Sequence, residues 1–228
     1  MQDSKSVIGQ GSGATGEAAA ISRSVTGQVS VPYILGGNEV TAVGPYAFSG
    51  CQVSAVQLPC SAKEICRGAF CSCDNLAEVS IPASVSAIAF GAFSYMPSTL
   101  NISVEEDNST YTSYNGTLIT RDRPTVVAGA ADIWMPDGIE AVAESAYYGS
   151  SLGAMSYLPS SLRSIGDFAF YDSKSLQRIN IPGNVSSVGS HAFDCCSSLT
   201  SVTGGASVKN IGSYAFAGTS LTAALLPS

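Results

Sequence analysis

The chain has 228 residues, of which 45% are apolar, so it holds enough material for a continuous hydrophobic core. Its formal net charge is −7 and it has no run of Lys or Arg, which excludes a nucleic-acid partner because phosphate binding needs a basic surface. No segment approaches the roughly 20 apolar residues of a membrane-spanning helix, so we expect no membrane insertion.

Residues 1–24 are predicted to be a flexible leader rich in Gly, Ser and Ala. Gly11, Gly13 and Gly16 have the spacing of a dinucleotide-binding loop. The strand–helix–strand unit that such a loop needs is missing around them, so we expect no nucleotide cofactor.

Residues 25–228 carry an internal repeat, in which alanine and an aromatic residue stand side by side seven times. The aromatics are separated by 22, 23, 54, 23, 23 and 23 residues, so one interval contains an insertion of 31. A fixed period in the twenties is typical of a solenoid, whose coils bury their apolar faces only by stacking. We expect every aromatic of the set to be buried: Phe48, Phe70, Phe93, Tyr147, Phe170, Phe193 and Phe216.

One coil shows how each repeat is built. Leu176, Ile179 and Ile181 alternate with polar residues, which predicts a short strand with one buried face, and Pro182 ends it. Such strands recur with the repeat and are predicted to stack into one parallel sheet. The small Ala192 allows the neighbouring coil to approach, while the aromatic after it fills the coil.

The insertion, at about residues 104–130, is predicted to be a β-hairpin because Asn115-Gly116 is a strong tight-turn signal. Glu105, Glu106 and Asp107 precede it and are expected to be solvated, since they lack the spacing of a calcium loop.

The cysteines and the lone histidine do not form a recognisable reactive site. Cys51, Cys73 and Cys196 each lie three residues after a repeat aromatic, where a buried apolar side chain is expected. The seven cysteines show no paired metal-ligand spacing, so we expect no metal. Residues 149–153 fit a hydrolase glycine–serine pattern but fall at an ordinary turn, and His191 is remote in sequence, so we predict no enzyme.

The repeat Leu-x-x-Ile-x-Ile-Pro-x-x-Val, followed by Ile-Gly-x-x-Ala-Phe-x-x-Cys, resembles the BspA-type leucine-rich repeats of bacterial and protozoan surface proteins over about residues 25–228. The resemblance implies a leucine-rich repeat solenoid with short parallel β-strands on one face, loops and short helical turns on the other, and one β-hairpin insertion. It also implies a cell-surface adhesion or protein-binding role, and it transfers no catalytic residue.

The open face of the predicted sheet carries the candidate partner-binding residues. Small polar side chains dominate it, except for one cluster rich in aromatics and arginine, the residue types that protein interfaces concentrate. Packing of Trp134 against the hairpin and an inward shift of Tyr157 stay open as alternatives. The predicted site consists of Asp132, Trp134, Met155, Tyr157, Arg178 and Asn180.

The sequence therefore favours a non-enzymatic adhesion module that binds a host or matrix protein, with a glycan as the alternative ligand. A structural spacer within a larger surface protein is the competing hypothesis. We expect no signal peptide or anchor within these residues, and the strand-like segment near residue 225 has no polar cap. We expect it to be a piece of a longer exported protein, located extracellularly or at the cell surface.

Overall fold

The computed structural model describes the backbone of residues 6–8 and residues 21–129, 135–152 and 157–222 in full. These residues form eighteen short strands and contain no helix. The strands are β1 (Ser6–Ile8), β2 (Thr26–Ser30), β3 (Ile34–Leu35), β4 (Asn38–Val43), β5 (Gln52–Gln57), β6 (Glu64–Ile65), β7 (Glu78–Ile81), β8 (Ala87–Ile88), β9 (Asn101–Val104), β10 (Tyr111–Tyr114), β11 (Thr117–Thr120), β12 (Thr125–Ala128), β13 (Ala141–Val142), β14 (Ser164–Ile165), β15 (Arg178–Ile181), β16 (Ser187–Val188), β17 (Ser201–Gly204) and β18 (Asn210–Ile211).

The longer strands form the predicted parallel sheet, which we call the first ladder. Strands β2, β5, β7 and β9 are neighbours in that order, and β15 pairs with β17 further along the chain. Tyr157 joins the second group through a parallel bridge to Asn180. Ile133, in the predicted strand between the two groups, lies outside the described residues, whereas Met135 in the same predicted strand is buried.

A second ladder, in which most strands have two residues, lies on the far side of each coil. Strands β4, β6 and β8 are parallel neighbours, and β12, β13, β14, β16 and β18 continue the pattern after the insertion. The sequence predicted loops and short helical turns here. Coil-to-coil backbone hydrogen bonds form instead, because a buried Val or Ile in most of these short strands holds the strand in register with its neighbour.

The turn edge is the third side of each coil and consists of six-residue turns that hold the alanine–aromatic pairs. The turns are residues 45–50, 67–72, 90–95, 144–149, 167–172, 190–195 and 213–218. Each coil is bonded to the next here as well; for example, the amide of Phe170 donates to the carbonyl of Ala192 over 2.8 Å. Alanine at this position is fully or almost fully buried, as expected for close coil packing.

Every one of these turns bends through two residues with positive φ, one two places before the aromatic and one two places after it. Bulky side chains rarely adopt this backbone conformation, yet Phe168 has φ 53° and His191 has φ 55°. The cost is tolerated because the surrounding coil-to-coil hydrogen bonds fix the turn from both sides.

The aromatic column forms the centre of the core. Phe48, Phe70 and Phe93 are stacked with 5.2 Å between neighbouring ring centroids. After the insertion, the column continues through Tyr147, Phe170, Phe193 and Phe216 at 5.0–5.2 Å. Six of the seven rings are buried, as predicted.

Phe216 departs from that prediction, because its ring is only partly buried. It stacks on Phe193, and no second ring covers its other face among the residues that the structure describes. The same coil leaves Ile211 47% exposed and Tyr214 68% exposed.

The insertion contains the predicted β-hairpin, formed by β10 and β11 in antiparallel register. Its turn residues Asn115 and Gly116 both have positive φ, 46° and 78°, as a tight two-residue hairpin requires. Strand β12 then returns along β11 and enters the second ladder. On the turn edge the stack is uninterrupted, since the amide of Tyr95 donates directly to the carbonyl of Tyr148 over 2.8 Å.

The leader is described only at Ser6–Ile8, which pairs as β1 with β4. The remaining residues before position 21, including Gly11, Gly13 and Gly16, lie outside the described part of the chain. Ile21 and Val25 already pack against the core, and the domain boundary at residue 24 stays a prediction.

Candidate partner-binding face

The open face of the first ladder carries the side chains that alternate with the buried ones. In β15, Ile179 and Ile181 are buried while Arg178 and Asn180 are exposed. The register places residues of successive coils side by side in two rows. The first row contains Ser30, Gln57, Ser80 and Ser103, then Tyr157, Asn180 and Thr203; the second contains Gln28, Ala55, Glu78 and Asn101, then Arg178 and Ser201.

Small polar side chains cover most of this face and hydrogen-bond to one another along the rows. The Ser30 hydroxyl donates to Gln57 Oε1 over 3.3 Å, and the Thr203 hydroxyl donates to Asn180 Oδ1 over 3.1 Å. The polar groups of such a surface already have hydrogen-bond partners, and the surface offers little apolar area to a binding partner.

Tyr157, Arg178 and Asn180 are the predicted site residues that the structure describes, and all three are exposed on adjacent strands. Tyr157 is 42% exposed, while the following Leu158 is buried. The alternative in which Tyr157 turns inward is therefore wrong. Asp132, Trp134 and Met155 lie outside the described residues, so their part in the cluster stays a prediction.

A second aromatic surface lies on the turn edge, and the sequence reasoning missed it. Six rings run across neighbouring turns: Tyr95 contacts Tyr148, Tyr148 stacks on Tyr171, Tyr171 meets Phe168, and Phe168 continues through His191 to Tyr214. The centroid separations along this run are 4.7–5.7 Å. The 23-residue spacing of Phe168, His191 and Tyr214 was the signal that could have revealed it.

Polar groups accompany these rings. His191 Nδ1 lies 2.7 Å from Asp194 Oδ2. The Cys195 thiol donates to the Tyr171 hydroxyl over 3.8 Å, and this bond, together with burial, raises the pKa of Tyr171 to about 12. Tyrosine at this edge therefore stays neutral at physiological pH and acts as a hydrogen-bonding group.

The patterns that imitate catalytic motifs have structural roles. Gly149 lies in an ordinary six-residue turn, where the Tyr95 ring packs directly on its backbone. The His191 ring is stacked between Phe168 and Tyr214 and is oriented by Asp194. Within the described ranges, no group of three His, Cys, Asp or Glu side chains could hold a metal ion.

The cysteines that lie three residues after the repeat aromatics are buried, as predicted. Cys51, Cys73 and Cys196 are fully buried, and Met96 occupies the equivalent place in the third coil at 5% exposure. Burial raises the pKa of the Cys73 and Cys196 thiols to about 12. All seven cysteines are free thiols in the structure.

The acidic approach to the hairpin is exposed at Glu105, Glu106 and Asp107, as predicted. The next residue, Asn108, is only 1% exposed and makes four hydrogen bonds. It donates to the carbonyls of Pro82 and Val85 and accepts from the amides of Thr110 and Tyr111, all over 2.7–2.9 Å. Asn108 begins an Asn-x-Thr sequence, the acceptor motif for N-linked glycans. Because its side-chain amide is buried and hydrogen-bonded, it cannot receive a glycan once the hairpin has folded.

Comparison with protein families gives a model match to the BspA type leucine rich repeat region, in six copies, over residues 23–115 and 129–228. The chain belongs to the BspA-type leucine-rich repeat family. The residues between the two matched ranges, 116–128, fall within the insertion, which agrees with its position outside the BspA-type repeat.

Solved structures share the BspA-type fold. The pneumococcal vaccine antigen PcpA is 21% identical, with a TM-score of 0.64 over 83% of this chain and 54% of its own. A leucine-rich cell surface protein from Faecalibacterium prausnitzii is 20% identical, with a TM-score of 0.54 over 82% of this chain and 59% of its own. A leucine-rich repeat protein from Eubacterium ventriosum is 16% identical, with a TM-score of 0.50 over 86% of this chain and 83% of its own.

The chain thus spans little more than half the length of the first two of these BspA-like structures. A search of curated proteins gives no match. Among the described residues, no helix has the length and apolar character needed to cross a membrane.

Proposed function

We propose that this chain is a non-enzymatic binding module of an exported cell-surface protein, and that it engages a host or matrix protein through the open face of the first ladder. The observation that carries the proposal is the exposure of Tyr157 beside Arg178 and Asn180 on a face otherwise covered by small polar groups. Tyrosine and arginine supply large, well-oriented contact area at interface centres.

The family and the solved relatives support a location at the cell surface. One of those relatives is described as a vaccine antigen and another as a cell surface protein. The family provides repeated coils rather than a constellation of reacting groups, which supports a binding role for this chain over an enzymatic one.

The experiment compares binding and stability for single variants. Surface plasmon resonance against a panel of purified host matrix proteins would identify a ligand, and thermal melts would report folding. We expect Tyr157→Ala to weaken binding by about 2 kcal/mol, a factor of about 30, with little change in Tm, because the ring is exposed. Trp134→Ala, placed in the same cluster by the sequence, should behave alike.

Ser80→Ala provides the matched control, since Ser80 lies in the same row on the other group of strands. It should change neither binding nor Tm. If Tyr157→Ala binds every panel protein as the parent does, the site is wrong and the spacer hypothesis is favoured. The spacer hypothesis is supported by the polar side chains of this face, which hydrogen-bond to one another and leave few groups free for a partner.

A further inference from the structure

A cavity opens on the turn edge where the third coil meets the coil after the insertion. Its volume is about 240 Å³, and it lies away from the open face of the first ladder. The lining residues are Tyr95, Gly149, Ser150, Ser151, Asp172, Lys174 and Ser175. The cavity exists because the two turns stack directly there, with the Tyr95 ring lying over the glycine of the next turn.

One wall of the cavity is aromatic and rigid. Tyr95 is 37% exposed, packs on Gly149 and meets the Tyr148 ring at 5.1 Å with an interplanar angle of 74°. Burial raises the pKa of the Tyr95 hydroxyl, with further contributions from Tyr148 and Asp172. This wall offers an apolar ring and a neutral hydroxyl side by side.

The other wall carries polar groups whose charges cancel. Lys174 Nζ lies 3.1 Å from both carboxylate oxygens of Asp172. Backbone hydrogen bonds hold the main chain around this pair, since the amide of Asp172 donates to the carbonyl of Asp194 and that of Lys174 to the carbonyl of Asp172, both over 2.9 Å. A neutral ligand suits this wall better than an ion, because each charge is already matched.

Ser175 adds a buried polar group beside the cavity. Its hydroxyl oxygen is buried and has no hydrogen-bond partner among the residues that the structure describes. A buried hydroxyl without a partner is unfavourable, so such groups are normally satisfied by protein, water or a bound molecule. Here the orphan hydroxyl belongs to a residue that lines a cavity large enough for a small molecule.

We propose that this cavity binds a neutral hexose unit of a glycan. A pyranose has an apolar face of C–H groups that fits against an aromatic ring, and hydroxyls at its edge that both donate and accept. The Asp172 carboxylate accepts from sugar hydroxyls, and the Lys174 ammonium donates to them. This site is separate from the protein-binding face and does not depend on it.

The test is a titration of ¹⁵N-labelled protein with the methyl glycosides of glucose, galactose and mannose, followed by amide chemical shifts. Binding with a dissociation constant on the order of millimolar is expected for a single sugar. The shifts should be confined to the amides of Gly149–Ser151 and Asp172–Ser175. Shifts spread over the surface, or none with any of the three sugars, would overturn the proposal.

Two variants separate a binding role from a structural one. Lys174→Ala should weaken binding by about tenfold and leave Tm nearly unchanged, because the Lys174 side chain is 70% exposed. Asp172→Asn should weaken binding similarly, and it keeps the fold because asparagine tolerates the positive φ of 57° at this position. Ser80→Ala should bind the sugar as the parent does. Unchanged affinity in both cavity variants would show that the sugar contacts something else.

Discussion

Replacing Phe170 by alanine tests the central claim that the stacked aromatic column holds the coils together. The Phe170 ring is fully buried and lies between Tyr147 at 5.2 Å and Phe193 at 5.0 Å, nearly parallel to both. Alanine would leave a cavity bounded by two rings that the backbone ladders prevent from closing up.

The expected loss is about 3–5 kcal/mol, the range for deleting a buried phenylalanine side chain, towards the upper end because the site cannot collapse. Phe170→Leu keeps most of the apolar volume and loses the two ring contacts, each worth about 0.5–1.5 kcal/mol, so it should cost about 1–3 kcal/mol. Urea unfolding followed by circular dichroism measures both, with m-values checked because coils can unfold separately.

Phe216→Ala is the internal comparison, since that ring is partly buried and stacks on one described neighbour instead of two. It should cost clearly less than Phe170→Ala. The reasoning is refuted if Phe170→Ala costs under about 1 kcal/mol, well below the cavity range, or if the two alanine variants are equally destabilised.

Three further predictions concern packing, hydrogen bonding and ionisation. Gly189→Ala should destabilise by about 1–3 kcal/mol because its Cβ would lie 2.5 Å from the backbone of the preceding coil, whereas Gly183→Ala, with open space around it, should be neutral or stabilising; equal Tm values would contradict this. Asn108→Ala should cost about 2–4 kcal/mol in urea unfolding because four buried hydrogen bonds are lost, and a cost near zero would mean that the hairpin closes without it. Raised pKa values of Cys73 and Cys196, about 12 against an ordinary 9.0, mean that the unfolded chain releases these protons first as the pH rises. The contribution of these two neutral thiols to the free energy of unfolding is therefore full below pH 9 and is lost between pH 9 and 12. In the double variant Cys73→Ala/Cys196→Ala, the fall in the free energy of unfolding over this pH range should be smaller.

Much of the fold could be predicted from the sequence because the same pattern of buried and exposed residues recurs in each repeat. The alternation of Ile179 and Ile181 fixed which face of the strand is buried, and Asn115-Gly116 fixed the hairpin turn. The sequence also placed Tyr157 and Asn180 together on the open face, where a parallel bridge joins them. None of these inferences required knowledge of distant contacts.

Other features depend on contacts between neighbouring coils, which the sequence of a single repeat does not reveal. The second ladder was missed because two-residue strands give no periodic signal of their own and form only through pairing. Phe216 fits the repeat, but its burial depends on a neighbour beyond it. The turn-edge rings and the cavity were missed because they arise from contacts between residues of neighbouring turns.

The three sides of coil-to-coil hydrogen bonding also determine how the protein would respond to mechanical force. These bonds run between neighbouring coils, along the stacking direction. Tension applied along that direction loads them one coil at a time, as in opening a zipper, and not all at once, as in shearing two long strands. Each released coil of 23 residues adds about 80 Å of extended chain. A solenoid of this kind would lengthen in steps under tension and refold coil by coil onto the part that stayed stacked.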